Sequence, residues 1–202
     1  MDNGAFPVVS CTVRPAPLVL FLFLSIAVLR ADPVLRKEAS GLAALGLGYG
    51  GSFLAPGEST AWRMDCSNTA RYLVRRTRGV ELPRTASDQY NYVRQNGRLK
   101  RAGGLFGGVP DKSWWAKRLR PGDLLFWEHT YKPTRRPPVT HVMVYLGPDE
   151  AGNLLMAGAQ NSRGVGIYKL QPRVSYGGHG GFLGLFQKKG KLVAYGRLTG
   201  KR

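Results

Sequence analysis

The sequence predicts an α+β fold in which helices pack on one face of an antiparallel sheet. Two observations support this prediction. Apolar residues at helical spacing follow residue 66, in the first half of the chain. From residue 124 onward the pattern changes to short apolar runs of strand type, separated by turn residues. The length of 202 residues suits one domain with a core and a short extra segment.

Residues 1–31 are predicted to be a signal peptide or an N-terminal anchor. Leu18 to Leu29 is a run of 12 apolar or small residues, too short to span a bilayer but typical of a signal-peptide core. Arg14 precedes the run, and Ala31 offers a small residue for cleavage. An uncleaved anchor is the alternative.

Residues 32–48 are expected to form a linker or a short helix beginning near Pro33.

Cleavage near Ala31 would remove Cys11 and leave Cys66 as the sole cysteine of the mature chain. An exported protein meets an oxidising compartment, where cysteines usually occur in pairs. A single thiol there favours a catalytic nucleophile.

Residues 66–78 are predicted to form a helix that begins at Cys66. Asp65 is a good N-cap and Gly79 a good stop. A helix N-terminus favours the thiolate, which is the reactive form of cysteine. The alternative interpretation is that Cys66 is a small buried apolar residue.

Glycine and proline residues mark the boundaries of the remaining helices and strands. A helix is expected over residues 86–95, opened by a capping pattern at Thr85 and closed by Gly97. Residues 98–120 are expected to form a long loop in which at least one of Trp114 and Trp115 fills the core. A glycine-rich loop carries His179. The predicted strands are 124–127, 139–146, 154–160, 165–170 and 192–198.

A cysteine nucleophile needs a base within hydrogen-bond reach. His179 lies in a glycine-rich loop, and His129 lies at the end of a predicted strand beside a proline-rich loop. His141 lies inside a regular strand, which can fix its position, so it is the leading candidate. Asp65 and Glu128 are the charged alternatives, but a neutral imidazole titrates in the useful range.

Four motifs together resemble the NlpC-type papain-like cysteine peptidases, which cleave cell-wall peptides. They occur in the family's order and spacing. They are Asp65-Cys66-Ser67, Leu82 to Gln89, Arg120 to Phe126 with its Pro-Gly-Asp-Leu strand start, and the histidine strand Thr140 to Gly147.

The resemblance implies a papain-like domain over residues 49–202, with the nucleophile helix packed on a small antiparallel β-sheet. It implies Cys66 as nucleophile, His141 as base and peptidoglycan stem peptide as substrate, cut at the D-γ-glutamyl bond to a diamino acid. Asp65, Ser67 and Arg84 match positions that help to bind the free amino end of the stem peptide.

The chain departs from the family pattern in three places. Asn68 stands where the family usually has glycine, and a tyrosine position falls at Leu47, with Tyr49 two residues along. The third catalytic position, usually a polar residue that orients the base, aligns with Gly158. Gln160 lies two residues on and faces the same side of the strand, so its amide is a candidate to fix the tautomer of His141. The alternatives are that a backbone carbonyl orients His141 or that the enzyme is weak.

A net charge of +18 favours association with polyanions. We expect anionic cell-envelope polymers as partners and not nucleic acid, membrane contact only through an uncleaved leader, a monomer, and location in the periplasm or cell envelope. The sequence lacks metal-ligand spacing and a phosphate-cradling glycine motif, so no metal or cofactor is expected. Two other functions remain open, namely a non-catalytic envelope-binding protein on this scaffold and an amidase or acyltransferase with the same Cys–His pair.

Overall fold

The computed structural model describes residues 1, 32–51, 63–103, 108, 110–174 and 190–198. The predicted leader with Cys11, and the glycine-rich segment with His179, lie outside these residues. Among the residues that the structure describes, no helix is long and apolar enough to cross a membrane.

A seven-stranded antiparallel sheet forms the centre of the described part of the chain. Its order is β3-β9-β4-β5-β6-β7, with β8 paired to β9. The strands are β3 (Gly97–Arg101), β4 (Leu124–Glu128), β5 (Val139–Pro148), β6 (Leu154–Gln160), β7 (Gly164–Lys169), β8 (Arg173–Val174) and β9 (Gly190–Leu198). A separate parallel pair, β1 (Gly48–Tyr49) and β2 (Arg63–Met64), places Tyr49 opposite Met64.

In the described ranges, four helices accompany the sheet: α1 (Pro33–Ala44), α2 (Cys66–Arg78), α3 (Ala86–Asn96) and α4 (Lys112–Arg118). Helix α2 begins at Cys66 because the Asp65 carboxylate accepts the backbone N–H of Asn68 at 2.8 Å. It ends where Gly79 adopts a left-handed φ of 64° and donates its N–H to the Arg75 carbonyl. The predicted start and stop of this helix are confirmed.

The core lies on both faces of the sheet. Helices α1, α2 and α3 cover one face, where Leu73 and Val74 of α2 pack against β5 and β6 and are at most 1% exposed. Burial of each such side chain stabilises the fold by about 1.5–3 kcal/mol. Helix α4 covers the other face, where Trp115 joins Trp127 in a second cluster. The predicted α+β class is confirmed.

The prediction of one long loop over residues 98–120 is wrong. Strand β3 pairs along its length with β9, and α4 begins where Asp111 accepts the N–H of Trp114 at 2.7 Å. The strand shows no apolar alternation because it is an exposed edge. The prediction that a tryptophan from this segment fills the core is confirmed by Trp115, which is 1% exposed.

Candidate active site

The thiol of Cys66 is buried at the start of α2, with 5% of the residue exposed. Its sulfur is reached by the backbone N–H groups of Val142 and Ser67 and by the hydroxyl of Tyr49. Each of these donors stabilises a negative charge on the sulfur. Cys66 is therefore surrounded by hydrogen-bond donors, unlike a cysteine that only fills the apolar core.

Burial nevertheless outweighs these donors and raises the pKa of the Cys66 thiol to about 11, and the Asp65 carboxylate adds to the rise. The position at a helix start predicted a favoured thiolate. In the folded protein the loss of water around the sulfur has the larger effect, so the thiol is protonated near neutral pH. Nucleophilic attack then requires a base that removes the proton.

His141 lies on β5, next to the residue whose backbone N–H reaches the Cys66 sulfur. It is 2% exposed, and its ring packs edge-on against Trp127 with 5.5 Å between ring centroids. Burial lowers the pKa of His141 to about 3, partly opposed by the charge of Asp65. The imidazole is therefore neutral near pH 7, which is the form that accepts a proton.

A polar cluster of Asp65, Ser67 and Arg84 lies beside the thiol. The two terminal nitrogens of Arg84 donate to the Asp65 carboxylate at 2.6 Å and to the Ser67 hydroxyl at 2.8 Å. The Ser67 hydroxyl in turn donates to Asp65 at 2.9 Å. The structure thus brings together the three residues that the resemblance assigned to substrate binding, and Arg84 keeps 40% of its side chain exposed.

Tyr49, which lies two residues after the family's tyrosine position at Leu47, is a site residue to which the sequence assigned no role. The predicted tyrosine position, Leu47, is buried in the core, and its carbonyl accepts the N–H of Val165 at 2.8 Å. Tyr49 reaches the Cys66 sulfur because β1 pairs with β2 immediately before α2. This contact depends on a pairing between distant residues, which no local pattern indicates.

The sequence profile of one protein family, the NlpC/P60 family, matches residues 49–178, more than half of the chain. The chain belongs to the NlpC/P60 family. The matched region contains Cys66, His141, Tyr49 and the Asp65 cluster. Membership agrees with the papain-like α+β fold predicted from the sequence. No curated protein sequence matches this NlpC/P60 chain.

Three solved structures are similar to this NlpC/P60 chain. The P60 domain of antigen MAP1204 from M. avium subspecies paratuberculosis is 24% identical, with a TM-score of 0.42 over 68% of this chain and 84% of that one. The NlpC/p60 domain of the peptidoglycan hydrolase SagA is 20% identical, with a TM-score of 0.42 over 67% and 86%. The peptidoglycan hydrolase RipB from Mycobacterium tuberculosis is 22% identical, with a TM-score of 0.39 over 68% of this chain and 57% of that one.

Gly158, which the resemblance aligns with the third catalytic position, has no room for a larger side chain. A Cβ at Gly158 would lie 2.7 Å from Cε and 3.0 Å from Cγ of Met143, so Met143 occupies the space that a larger residue at 158 would need. The Gln160 side chain is buried, and its amide nitrogen lies 3.9 Å from the Met143 sulfur. The role of Gln160 toward His141 stays a prediction.

The loop between β4 and β5 adds a second tyrosine that sequence reasoning missed. Tyr131 is 60% exposed, and its pKa is raised by partial burial of the hydroxyl and by the charges of Cys66 and Asp65. Ser87 anchors the loop by donating to the Pro137 carbonyl at 2.8 Å. Tyr131 therefore lies at the exposed rim of the site.

In the described part of the chain, no group of three or more His, Cys, Asp or Glu residues could hold a metal ion.

Proposed function

We propose that this protein is an exported cysteine peptidase that hydrolyses peptidoglycan stem peptides at the D-γ-glutamyl bond to a diamino acid. The observation that carries the proposal is the contact of the Cys66 sulfur with the backbone N–H of Val142, the neighbour of His141. It is supported by membership in the NlpC/P60 family and by the polar cluster beside the thiol.

The reaction starts from a neutral thiol and a neutral imidazole. His141 takes the proton of Cys66 as the sulfur attacks the carbonyl carbon of the scissile amide. The S–C bond forms and the carbonyl electron pair moves to oxygen. The C–N bond then breaks, and the leaving amine takes the proton from His141, which leaves an acyl-enzyme on Cys66.

Hydrolysis of the acyl-enzyme reverses the roles. His141 takes a proton from water, the hydroxide attacks the thioester carbon, and the Cys66 sulfur leaves and recovers the proton. The products are a new carboxylate on the D-glutamyl side and a free amine on the diamino acid. The oxyanion of both steps is stabilised by backbone N–H at the start of α2, including that of Cys66.

The substrate is held by the cluster of Asp65, Ser67 and Arg84. A stem peptide with a free amino end carries an ammonium group, for which the Asp65 carboxylate and the Ser67 hydroxyl are acceptors. Arg84 fixes both acceptors in one geometry through two hydrogen bonds. The net charge of +18 supports retention at an anionic cell envelope, which we propose as the location.

Product analysis by mass spectrometry tests this function. Purified muropeptides are incubated with the reduced protein and, in parallel, with the Cys66→Ala variant. New fragments that end in D-glutamate, absent with the variant, are the expected result. Intact stem peptides freed from sugar would instead indicate an amidase.

One observation favours a second function, a non-catalytic protein that binds cell-wall peptides on the same scaffold. Gly158 offers no side chain to orient His141, and Met143 fills the space above it. This alternative predicts that Cys66→Ala binds wall fragments as tightly as the parent while neither protein releases a product from several wall types.

A further inference from the structure

A cleft with several cationic side chains lies at the edge of the sheet, away from Cys66. Its volume is about 80 Å³, and its cationic and aromatic lining consists of Arg98, Lys100, Arg118, Tyr195 and Arg197. We call it the basic cleft. It opens on the face covered by α4, because Tyr195 belongs to the core cluster beneath α4, whereas Cys66 belongs to the cluster on the opposite face.

Strand register brings the cations of the cleft together. Arg98 is directly opposite Arg197 in the β3–β9 pair, and Lys100 is opposite Tyr195, so all four side chains share one face. Arg98 and Lys100 are two residues apart on a strand, which separates them by roughly 6.6 Å. Like charges directly opposite each other destabilise a sheet. The ion pair of Arg197 with Asp123 offsets this repulsion, whereas Arg98 has no such acidic partner among the described residues.

The fourth cation is positioned by aromatic rings. The Arg118 guanidinium lies 4.2 Å from the centre of the Trp114 ring. Trp114 packs edge-on against Tyr195, with 6.2 Å between ring centroids. Arg118 is therefore held at the cleft by a rigid aromatic contact although its side chain is exposed.

The cleft retains positive charge because the carboxylate that lines it, Asp123, is already paired. Asp123 is buried at the cleft, where one oxygen accepts from Arg197 at 3.0 Å and the other accepts the backbone N–H of Arg120 at 2.7 Å. Among the described residues, Arg98, Lys100 and Arg118 form no ion pair with an acidic side chain. These three cations therefore give the cleft an excess of positive charge.

We propose that the basic cleft binds the phosphate groups of an extended anionic polymer. A cleft of about 80 Å³ has room for a compact group such as a tetrahedral phosphate. Guanidinium forks match phosphate oxygens, and the Tyr195 hydroxyl adds a donor. The four cations of the cleft lie along β3, β9 and α4, so several of them can contact phosphate groups of one polymer.

The alternative explanation is that charges on β3 only protect an exposed sheet edge from pairing with other chains. Two triple variants of the full chain separate these explanations. The cleft variant is Arg98→Gln, Lys100→Gln and Arg118→Gln. The control variant is Lys37→Gln, Arg163→Gln and Lys169→Gln, three exposed cations on α1, the β6–β7 turn and β7. Both variants lose the same charge, and circular dichroism checks that both are folded.

Binding is measured by fluorescence anisotropy with labelled linear polyphosphate at several salt concentrations. We expect the cleft variant to bind at least 10-fold more weakly and the control variant to stay within about 2-fold. In the cleft variant only, the slope of log K against log salt should fall by about 0.7–0.9 for each phosphate that the protein no longer neutralises. Equal weakening in both variants would overturn the proposal, because binding would then follow net charge alone.

Two further probes decide the chemistry of the ligand. Poly-L-glutamate tests carboxylate against phosphate, and vesicles of phosphatidylglycerol test a membrane against a polymer. We expect the cleft variant to affect neither more than the control variant does. A cleft-dependent loss with vesicles or poly-L-glutamate, and none with polyphosphate, would contradict the proposal. Because binding does not need the thiol, the assay can be repeated with Cys66→Ala, so its outcome is independent of the proposed peptidase activity.

Discussion

The hydroxyl of Tyr49 donates a hydrogen bond to the sulfur of Cys66. We predict that Tyr49→Phe lowers kcat/KM roughly 10- to 100-fold, because a hydrogen bond to a charged group contributes about 1.5–3 kcal/mol. The same change should move the pH midpoint of thiol alkylation by iodoacetamide upward, since the thiolate loses a donor. Both effects are measured on the reduced protein.

Tyr92→Phe is the matched control for this prediction. Tyr92 is a partly buried tyrosine on α3 that contributes no contact to Cys66. It should leave the alkylation midpoint unchanged. An unchanged midpoint in Tyr49→Phe would show that the hydroxyl does not stabilise the thiolate.

A second prediction concerns Arg84, which bonds Asp65 and Ser67 through two separate nitrogens. Lysine keeps the charge but has one nitrogen and no planar fork, so it cannot reproduce both bonds. We predict that Arg84→Lys raises KM for a stem peptide with a free amino end about 10-fold, with a smaller effect on kcat. Steady-state kinetics on a synthetic stem peptide measures both.

The N-acetylated form of the same peptide tests the assigned role of the cluster. It lacks the ammonium group, so the parent and Arg84→Lys should cleave it at similar, slow rates. Arg75→Lys, an exposed arginine paired with Glu81, serves as the control and should match the parent on both peptides. Equal losses on both peptides in Arg84→Lys would rule out recognition of the amino end.

The third prediction is a dependence of stability on pH with two limbs. The pKa of His141 is lowered from 6.5 to about 3, so its contribution is complete above pH 6.5 and is lost as the pH falls toward 3. The pKa of Cys66 is raised from 9.0 to about 11, so its contribution is complete below pH 9 and is lost as the pH rises toward 11. Urea unfolding across this range should show greatest stability between about pH 6.5 and 9.

We expect one residue to account for the acid limb of the stability–pH profile and the other to account for the alkaline limb. His141→Phe should remove about 1.4 kcal/mol per pH unit from the slope of the acid limb, and Cys66→Ala should do the same to the alkaline limb. His129→Asn, at an exposed histidine, is the control for the acid limb. Acid limbs of the same slope in His141→Phe and the parent would contradict the assignment.

A fourth prediction follows from the contact between Met143 and position 158. Gly158→His alone forces its Cβ against Met143 and should destabilise the protein by about 1–3 kcal/mol. In the background of Met143→Ala the same substitution should cost less, because the new ring enters the vacated space. A double-mutant cycle by urea unfolding measures this coupling, and additive effects would mean that the two side chains do not compete for space.

Local chemistry explains which parts of the fold could be predicted from the sequence. The start and stop of α2 depend on the Asp65 cap and on Gly79, and both signals lie in adjacent residues. The strand predicted over residues 154–160 has the observed bounds, because an apolar run between turn residues defines it. Asp65, Ser67 and Arg84, which the family resemblance assigned to substrate binding, contact one another in the structure, and their role toward a substrate stays a prediction.

The features that were missed depend on contacts between distant residues. Strand β3 carries the polar pattern of an edge and exists because β9, almost 100 residues later, pairs with it. Tyr49 reaches Cys66 through a two-residue pairing of β1 with β2. The raised pKa of the thiol follows from burial, which the helix start alone does not reveal.

Trapping the acyl-enzyme tests whether Cys66 is the nucleophile. Protein and stem peptide are mixed, quenched in acid within the first turnover and analysed by intact mass and by peptide mapping. We predict an adduct with the mass of the acyl fragment that ends in D-glutamate, located on the peptide that contains Cys66 and absent from Cys66→Ala. Release of the cleaved product by Cys66→Ala, or an adduct on another residue, would show that Cys66 is not the nucleophile.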